Sequence, residues 1–202
     1  MDYLLAFKKF FGRMPHEFGD KVIVTNITPI FSNFAKEASK SVHHENGFCQ
    51  VIEINSDDVG NWNLVKVTPG NNIIDVIKLL CLYVKEIVFV GIAGSLVDKY
   101  KLGDVVCPNS YMKNADTSIV GEVIICQTDG LIYDQSFYLN LKEKGVSLVD
   151  MECFDVNSIC NDKNVKLTYI VQISDEPLKT PFYSAESMPI NIGKIKALIG
   201  GR

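Results

Sequence analysis

Three short segments of this sequence place polar groups in apolar surroundings, where they could surround a small polar ligand. The first is Gly91-Ile92-Ala93-Gly94-Ser95, which follows an apolar run rich in β-branched residues. The second is Met151-Glu152, and the third is Ser174-Asp175, which ends another apolar run. Each segment also has a purely structural explanation, so the three together are more informative than any one alone.

Glu152 stands between Met151 and Cys153 in an apolar neighbourhood. A carboxylate in such a place must be hydrogen-bonded, because otherwise its desolvation costs a large free energy. Its two oxygens can accept both hydrogen bonds of a vicinal diol such as a ribose. The alternative is a glutamate in the first turn of a helix, where the helix dipole favours negative charge. The residues alone leave both explanations open.

Asp175 ends a predicted strand, and open α/β sheets bind their ligands at such strand ends. An aspartate that is partly desolvated has a raised pKa and can donate a proton. The alternative is a turn or helix-capping aspartate that precedes Glu176-Pro177.

The glycines of the first segment allow two interpretations as well. We expect Gly91 and Gly94 to end the strand that begins at Glu86, and to form a turn whose backbone N–H groups face an anion or a hydroxyl. A tight turn that only reverses the chain is the alternative. The segment is neither GxGxxG nor a P-loop. Asp129 precedes Gly130, and this dipeptide is by default a turn.

Helical and strand patterns alternate from residue 65 onward, which predicts a single α/β domain over residues 1–202 with three layers, α/β/α. The predicted strands are Lys21–Thr25, Gln50–Ile54, Glu86–Ile92, Asp104–Cys107, Glu122–Cys126, Val146–Val149 and Lys166–Ile173. The predicted helices are Ile30–Lys40, a helix from Thr68-Pro69 to Val84, Asp134–Lys144, Glu152–Cys160 and Pro189–Ile199. We expect Trp62 to be a partly buried loop residue.

Composition narrows the classes of function. The chain has 202 residues, 47% of them hydrophobic and 22% charged, which is typical of a globular protein. A net charge of -4 argues against nucleic acid as a partner. The longest apolar region, Ile73 to Leu96, is interrupted by charges, so we expect no membrane span and a cytoplasmic protein. The six cysteines form no CxxC pair, which predicts reduced thiols and no metal site.

In order and spacing, these segments resemble the nucleoside phosphorylase and nucleosidase superfamily. The resembling motifs, clearest over residues 65–177, are Val90-Gly91-Ile92-Ala93-Gly94, Gly103-Asp104-Val105, Thr128-Asp129-Gly130-Leu131, Asp150-Met151-Glu152 and Ile173-Ser174-Asp175. The resemblance implies a phosphorylase/hydrolase-like fold with a central mixed sheet. It also implies a homodimer or higher homo-oligomer, and neither a metal nor an organic cofactor.

The resemblance implies a role for each matching residue. Glu152 would bind the ribose, with Met151 packed on the sugar, and Asp175 would protonate or hydrogen-bond the purine N7. Further substrate-binding residues would be Gly91, Ala93, Gly94, Ser95, Asp129 and Ser174. Leu131 stands where the family stacks a phenylalanine on the base, and the nearby Tyr133 could replace it.

Departures from the family pattern bear on the nucleophile. Family phosphorylases carry a phosphate-binding arginine just before the glycine turn, where this chain has Phe89, and its two arginines are Arg13 and Arg202. We therefore expect hydrolysis of the N-glycosidic bond of a purine nucleoside or a similar metabolite. However, family nucleosidases orient the attacking water with an N-terminal glutamate that has no match here. Phosphorolysis, with phosphate bound by backbone N–H groups, Ser95 and lysines, is one alternative. A nucleoside-binding protein without catalysis is the other.

Overall fold

The computed structural model describes residues 2–37, 48–56, 60–67, 72–113, 121–130, 132–182 and 189–200. The helices in these ranges are α1 (Tyr3–Phe11), α2 (Thr28–Glu37), α3 (Asn72–Leu80), α4 (Gln135–Glu143), α5 (Cys153–Asp162) and α6 (Ile192–Gly200), with a 3₁₀ turn at Pro15–Glu17. The strands are β1 (Lys21–Thr25), β2 (Gln50–Ser56), β3 (Gly60–Lys66), β4 (Glu86–Ser95), β5 (Val105–Val106), β6 (Ser110–Lys113), β7 (Ile124–Gln127), β8 (Leu148–Asp150) and β9 (Lys166–Asp175). The predicted α/β class with a central mixed sheet is confirmed.

The chain forms two compact units, which we describe separately. The first comprises Met1–Val90, Ser158–Thr168 and Ile192–Arg202, and the second comprises Gly91–Asn157 and Tyr169–Asn191. That the whole chain is one domain stays a prediction.

The first unit contains strands in the order β2-β3-β1-β4. Strand β2 is antiparallel to β3, whereas β1 is parallel to both β3 and β4. An aromatic cluster fills part of its core, with the ring of Phe7 4.5 Å from that of Phe11 and 5.1 Å from that of Phe18. Helix α1 supplies two of these rings, and the side chain of Asp2 caps its first turn.

The second unit carries all three site segments. Its strands follow the order β4-β8-β7-β6, and β9 pairs with β4 and with β5. Strand β8 is antiparallel to β4 but parallel to β7. Side chains of β6, β7, α4 and β8, together with two residues of connecting segments, form its buried core cluster, which consists of Leu96, Met112, Ile124, Cys126, Tyr138, Leu141, Val146 and Val149.

The prediction that Gly91 and Gly94 end their strand is wrong. Strand β4 continues to Ser95, with Gly94 opposite Val149 and Ser95 opposite Leu148 in the β8 ladder. Close packing explains the glycine at position 94, because a Cβ there would lie 2.8 Å from Cγ of Pro177 and 3.2 Å from Cγ2 of Val149. A glycine inside a strand often marks such a close approach.

Several other expectations differ from the structure. Trp62 lies in strand β3 rather than in a loop, and its side chain is buried. The predictions missed α1, β3 and β6, and the predicted helix start at Thr68-Pro69 lies outside the described residues. Of the helices described, none has the length and apolar character needed to cross a membrane. The described residues also contain no group of three His, Cys, Asp or Glu side chains arranged to bind a metal ion.

We predict that Gly94→Ala destabilises the protein by about 1–3 kcal/mol, because the rigid ring of Pro177 and the side chain of Val149 leave no room for the added methyl group. Urea unfolding followed by circular dichroism would measure this change in the free energy of unfolding.

Gly193→Ala is the matched control. Gly193 lies in α6, and a Cβ there would meet no atom within 4 Å. We expect this variant to be stabilised by less than about 1 kcal/mol, through the higher helix propensity of alanine. Equal stability of the Gly94→Ala variant and the wild type would contradict the packing argument.

Candidate active site

The candidate site lies in the second unit, around the ends of two strands that both pair with β4. Strand β8 ends at Asp150, and the chain passes through Met151 and Glu152 before α5 begins at Cys153. Strand β9 ends at Asp175. Both strands flank the second half of β4, since each pairs with it.

The segment Gly91–Ser95 therefore separates the two predicted carboxyl groups. On one side, Val149 lies opposite Gly94; on the other, Oγ of Ser174 lies 3.3 Å from the carbonyl oxygen of Ala93. Adjacent strands are about 4.8 Å apart, so β8 and β9 are separated by about 10 Å at this level. A ligand of nucleoside size can span that distance and contact both strand ends.

Two apolar side chains, one in this segment and one in the Met-Glu turn, are exposed to solvent. Ile92 of β4 and Met151 after β8 are each 37% exposed, although both neighbour buried strands. The resemblance implies that Met151 packs on the sugar, and its exposure leaves it accessible for that contact.

Glu152 is half-buried, and its pKa is raised to about 7. Burial is the main cause and the nearby charge of Asp150 adds to it, while a hydrogen bond from the backbone N–H of Met151 acts in the opposite direction. Glu152 is therefore present in both its charged and its neutral form near pH 7. Glu152 directly precedes α5, and its carbonyl oxygen accepts the backbone N–H of Val156 at 3.0 Å, so the favourable effect of the helix dipole and the binding of a ribose both stay open as interpretations.

Asp150 is a polar residue of this region whose importance the sequence reasoning missed. It is only 6% exposed, and its Oδ2 accepts a hydrogen bond of 2.5 Å from the hydroxyl of Tyr169. Its Oδ1 accepts from the backbone N–H groups of Glu152 at 3.3 Å and Cys153 at 3.1 Å. A local signal existed, since an aspartate just before a helix commonly accepts such bonds.

Asp175 is buried, at 8% exposure, and burial raises its pKa. The hydroxyl of Ser174 donates a hydrogen bond of 2.7 Å to its Oδ1, and the backbone N–H of Phe182 also donates to the carboxyl group. Both bonds favour the charged form and so oppose the effect of burial. A buried carboxyl group that is fixed by neighbours and holds its proton to higher pH fits the role of a proton donor.

The segment that contains Asp129 lies next to the Met-Glu turn. Thr128 donates to the carbonyl oxygen of Asp150 twice, from its backbone N–H at 2.7 Å and from its hydroxyl at 3.0 Å. Asp129 itself is exposed, and Leu131 lies outside the described residues. The binding roles of both residues stay predictions.

Two other predicted binding residues already have partners within the protein. The hydroxyl of Ser95 donates to the carbonyl oxygen of Val97 at 2.8 Å. The ring of Tyr133 stacks on that of Phe137, with centroids 4.0 Å apart and planes at 16°. A base could therefore stack only on the other face of Tyr133.

A second polar network, also missed, fixes the first turn of α5. Asp155 binds the ammonium group of Lys113 through both oxygens, at 2.9 and 3.0 Å. The side-chain amide of Gln127 donates to Asp155 at 2.6 Å and accepts from its backbone N–H at 2.9 Å. Helix α5 is thus attached to β6 and β7 directly after Glu152.

We predict that Glu152→Gln changes the pH dependence of stability. Because the folded-state pKa of Glu152 is about 7 and its ordinary value is 4.5, the folded wild type binds the extra proton between these values. The contribution of Glu152 to the free energy of unfolding is therefore fully present below about pH 4.5 and is lost as pH rises to about 7. Glutamine cannot ionise, so the free energy of unfolding of the variant should rise by roughly 1–3 kcal/mol relative to that of the wild type across this pH range.

Thermal unfolding at a series of pH values from 4.5 to 8 would measure the difference in melting temperature between variant and wild type. Glu143→Gln, at an exposed position of α4, is the matched control for introducing the amide. A constant difference for Glu152→Gln across the series would contradict the raised pKa.

Comparisons with known proteins concern one segment of the sequence and the fold. Residues 68–123 match the family model described as the Phosphorylase superfamily. No curated protein matches the sequence significantly.

Solved structures of this superfamily share the fold. An AMP nucleosidase from Bacteroides thetaiotaomicron aligns with a TM-score of 0.75 at 17% identity, over 98% of this chain and 93% of that one. A purine nucleoside phosphorylase from Toxoplasma gondii, in complex with immucillin-H, aligns with a TM-score of 0.72 at 16% identity, over 93% and 88%. A methylthioadenosine/S-adenosylhomocysteine nucleosidase from Colwellia psychrerythraea, in complex with adenine, gives 0.70 at 14% identity, over 91% and 95%. The resemblance of this chain to the nucleoside phosphorylase and nucleosidase superfamily is thereby confirmed, in one sequence segment and in the fold.

Proposed function

We propose that this protein cleaves the N-glycosidic bond of a purine nucleoside or a nucleoside-like metabolite by hydrolysis. The observation that carries the proposal is the pair of carboxyl groups, Glu152 and Asp175, at the strand ends on either side of Gly91–Ser95. Burial raises the pKa of both.

The chemistry of glycosidic cleavage uses these two groups differently. As the bond breaks, positive charge develops on the sugar and negative charge on the base. Asp175 donates its proton to the leaving base, and Ser174 orients the donating carboxyl group. Water adds to C1′ of the sugar as the C1′–N bond breaks, and the proton that this water loses passes to solvent, from which Asp175 regains its own. Glu152 in its charged form accepts hydrogen bonds from the ribose hydroxyls and stabilises the positive sugar.

The pKa values set the pH dependence of this mechanism. Ribose binding requires charged Glu152 and therefore strengthens as pH rises through about 7. Proton donation requires neutral Asp175 and weakens as pH rises above the pKa of that residue. Activity should consequently pass through a maximum with pH.

The contacts of Arg13 support water rather than phosphate as the nucleophile. Arg13 forms a salt bridge with Glu53 and donates a hydrogen bond of 3.2 Å to Asn63, so its guanidinium group already has partners. Arg202 lies outside the described residues, and Phe89 is fully buried. Glu53 is likewise held by Arg13, which argues against it as the residue that orients water.

Phosphorolysis is the second candidate, and the fold shared with a purine nucleoside phosphorylase favours it. Phosphate would then be bound by backbone N–H groups and lysines. In either case we propose a homo-oligomer, which rests on the family resemblance, and a cytoplasmic location. The six cysteines are all free thiols, as is common in a reducing compartment.

We predict release of free base when the protein is incubated with a panel of purine nucleosides in phosphate-free buffer, measured by chromatography. Asp175→Asn should lower kcat by roughly 10²- to 10⁴-fold, because the amide cannot donate the proton as an acid. Asp162→Asn, at an exposed position at the end of α5, is the matched control and should keep wild-type activity.

Three outcomes would contradict hydrolysis, catalysis or the role of Asp175. Turnover that strictly requires phosphate would select phosphorolysis. Thermal stabilisation by nucleosides without any product would indicate a binding protein, since a ligand of the folded state raises stability. Undiminished activity of Asp175→Asn would exclude Asp175 as the acid.

A further inference from the structure

Asp150 and Tyr169 are two buried polar side chains that the proposed mechanism does not use. They are 6% and 2% exposed. Burying either side chain without a hydrogen bond would cost several kcal/mol, as does the transfer of a polar group from water to an apolar solvent. Each is the partner of the other, with the Tyr169 hydroxyl 2.5 Å from Oδ2 of Asp150. A short bond between a hydroxyl and a carboxylate is among the stronger hydrogen bonds in proteins.

The other side of Asp150 faces the backbone of the candidate ribose ligand. Oδ1 accepts from the N–H groups of Glu152 and Cys153, at 3.3 and 3.1 Å. The carbonyl oxygen of Asp150 accepts two further bonds from Thr128. A continuous chain of hydrogen bonds therefore runs from Tyr169 on β9, through Asp150, to the residue that would hold the sugar.

Electrostatics link the same three residues. The charge of Asp150 raises the pKa of Glu152, and burial raises the pKa of Asp150 itself against the hydrogen bonds from Tyr169 and Cys153. The titratable groups that face Asp150 are Glu152, Cys153 and Tyr169. From β6, the ring of Tyr111 packs edge-on against Tyr169, with centroids 5.9 Å apart.

We infer that Tyr169 and Asp150 form a positioning pair, which holds the backbone of Glu152 in place and sets the fraction of Glu152 that is charged. Neither residue touches the substrate in this scheme; both act through Glu152. The inference rests on the proposed function only in assigning the sugar to Glu152, because the hydrogen bonds themselves are independent of any ligand.

The direction of the effect follows from the contacts. Without the Tyr169 hydroxyl, Asp150 loses a donor that stabilises its charged form, so its pKa rises further. Less charge on Asp150 means less repulsion at Glu152, whose pKa then falls towards its ordinary value. Charged Glu152 would become commoner at neutral pH but less firmly positioned.

The test compares Tyr169→Phe with Tyr111→Phe. The first removes the donor to Asp150, whereas the second removes a neighbouring hydroxyl that lies 3.4 Å from the carbonyl oxygen of Pro108. Carboxyl ¹³C NMR of glutamate-labelled, ligand-free protein follows the titration of Glu152, with Glu152→Gln to assign the signal. We expect the midpoint to fall by roughly half a unit to one unit in Tyr169→Phe and to stay near 7 in Tyr111→Phe.

Asp150→Asn is a second variant that separates charge from geometry. The amide oxygen can still accept from Glu152 and Cys153, but the charge is gone, so the Glu152 midpoint should also fall. With the best nucleoside of the panel, Tyr169→Phe should raise KM about three- to tenfold, with a smaller change in kcat and an acid limb shifted to lower pH.

The titration and the kinetics together distinguish a failure of the positioning pair from a failure of the proposed function. An unchanged Glu152 midpoint in both Tyr169→Phe and Asp150→Asn would overturn the positioning pair, whatever the activity. A shifted midpoint in a protein that releases no base would support the pair and contradict the proposed function. If Tyr169→Phe fails to fold by circular dichroism, Asp150→Asn alone decides.

Discussion

Pairing of the second half of β4 with β8 on one side and β9 on the other is the constraint on which the candidate site depends. It brings together the ends of two strands, Asp150 and Asp175, that are 25 residues apart in the chain. The 3.3 Å contact between Oγ of Ser174 and the carbonyl oxygen of Ala93 places the end of β9 beside this half of β4. If β4 ended at Gly91, β8 would lose its pairing with Gly94 and Ser95, and the two carboxyl groups would not face a common segment.

This arrangement has an electrostatic cost. Asp150, Glu152 and Asp175 all have pKa values raised by burial, and Glu152 and Asp150 also repel each other. A protein selected only for stability would place apolar or amide side chains at such positions. Raised pKa values cluster at functional sites because acids and bases must be adjusted to their task. The cost is offset by hydrogen bonds from Tyr169, Ser174 and the backbone, which are the contacts that give these groups fixed positions.

The sequence was informative wherever the signal was local. Apolar runs predicted β4 and β9, helical spacing predicted α3 and α5, and the Met-Glu and Ser-Asp motifs identified the two carboxyl groups. It misled at Gly94, because glycine usually marks a turn, and only the contact with Pro177 shows why a strand needs it there.

Long-range polar contacts could not be predicted. In the sequence, Tyr169 is an aromatic residue in an apolar strand, and no neighbouring residue indicates that Asp150 is its partner. Lys113 and Asp155 are 42 residues apart in the chain, and Arg13 and Asn63 are 50 apart. Which polar groups meet is decided by the sheet order, and this is why the motifs indicated the site but not the residues that support it.

The contact of Gly94 with Pro177 also limits how this site can change through evolution or in the laboratory. A side chain cannot be added at position 94 to reshape the sugar side, because Pro177 already occupies the space. Ile92 lies two residues earlier and is partly exposed, so a different side chain at position 92 can extend into solvent. Libraries that seek a new substrate range should therefore vary position 92 and keep the glycine, so that specificity is altered while the strand that holds the two carboxyl groups together is preserved.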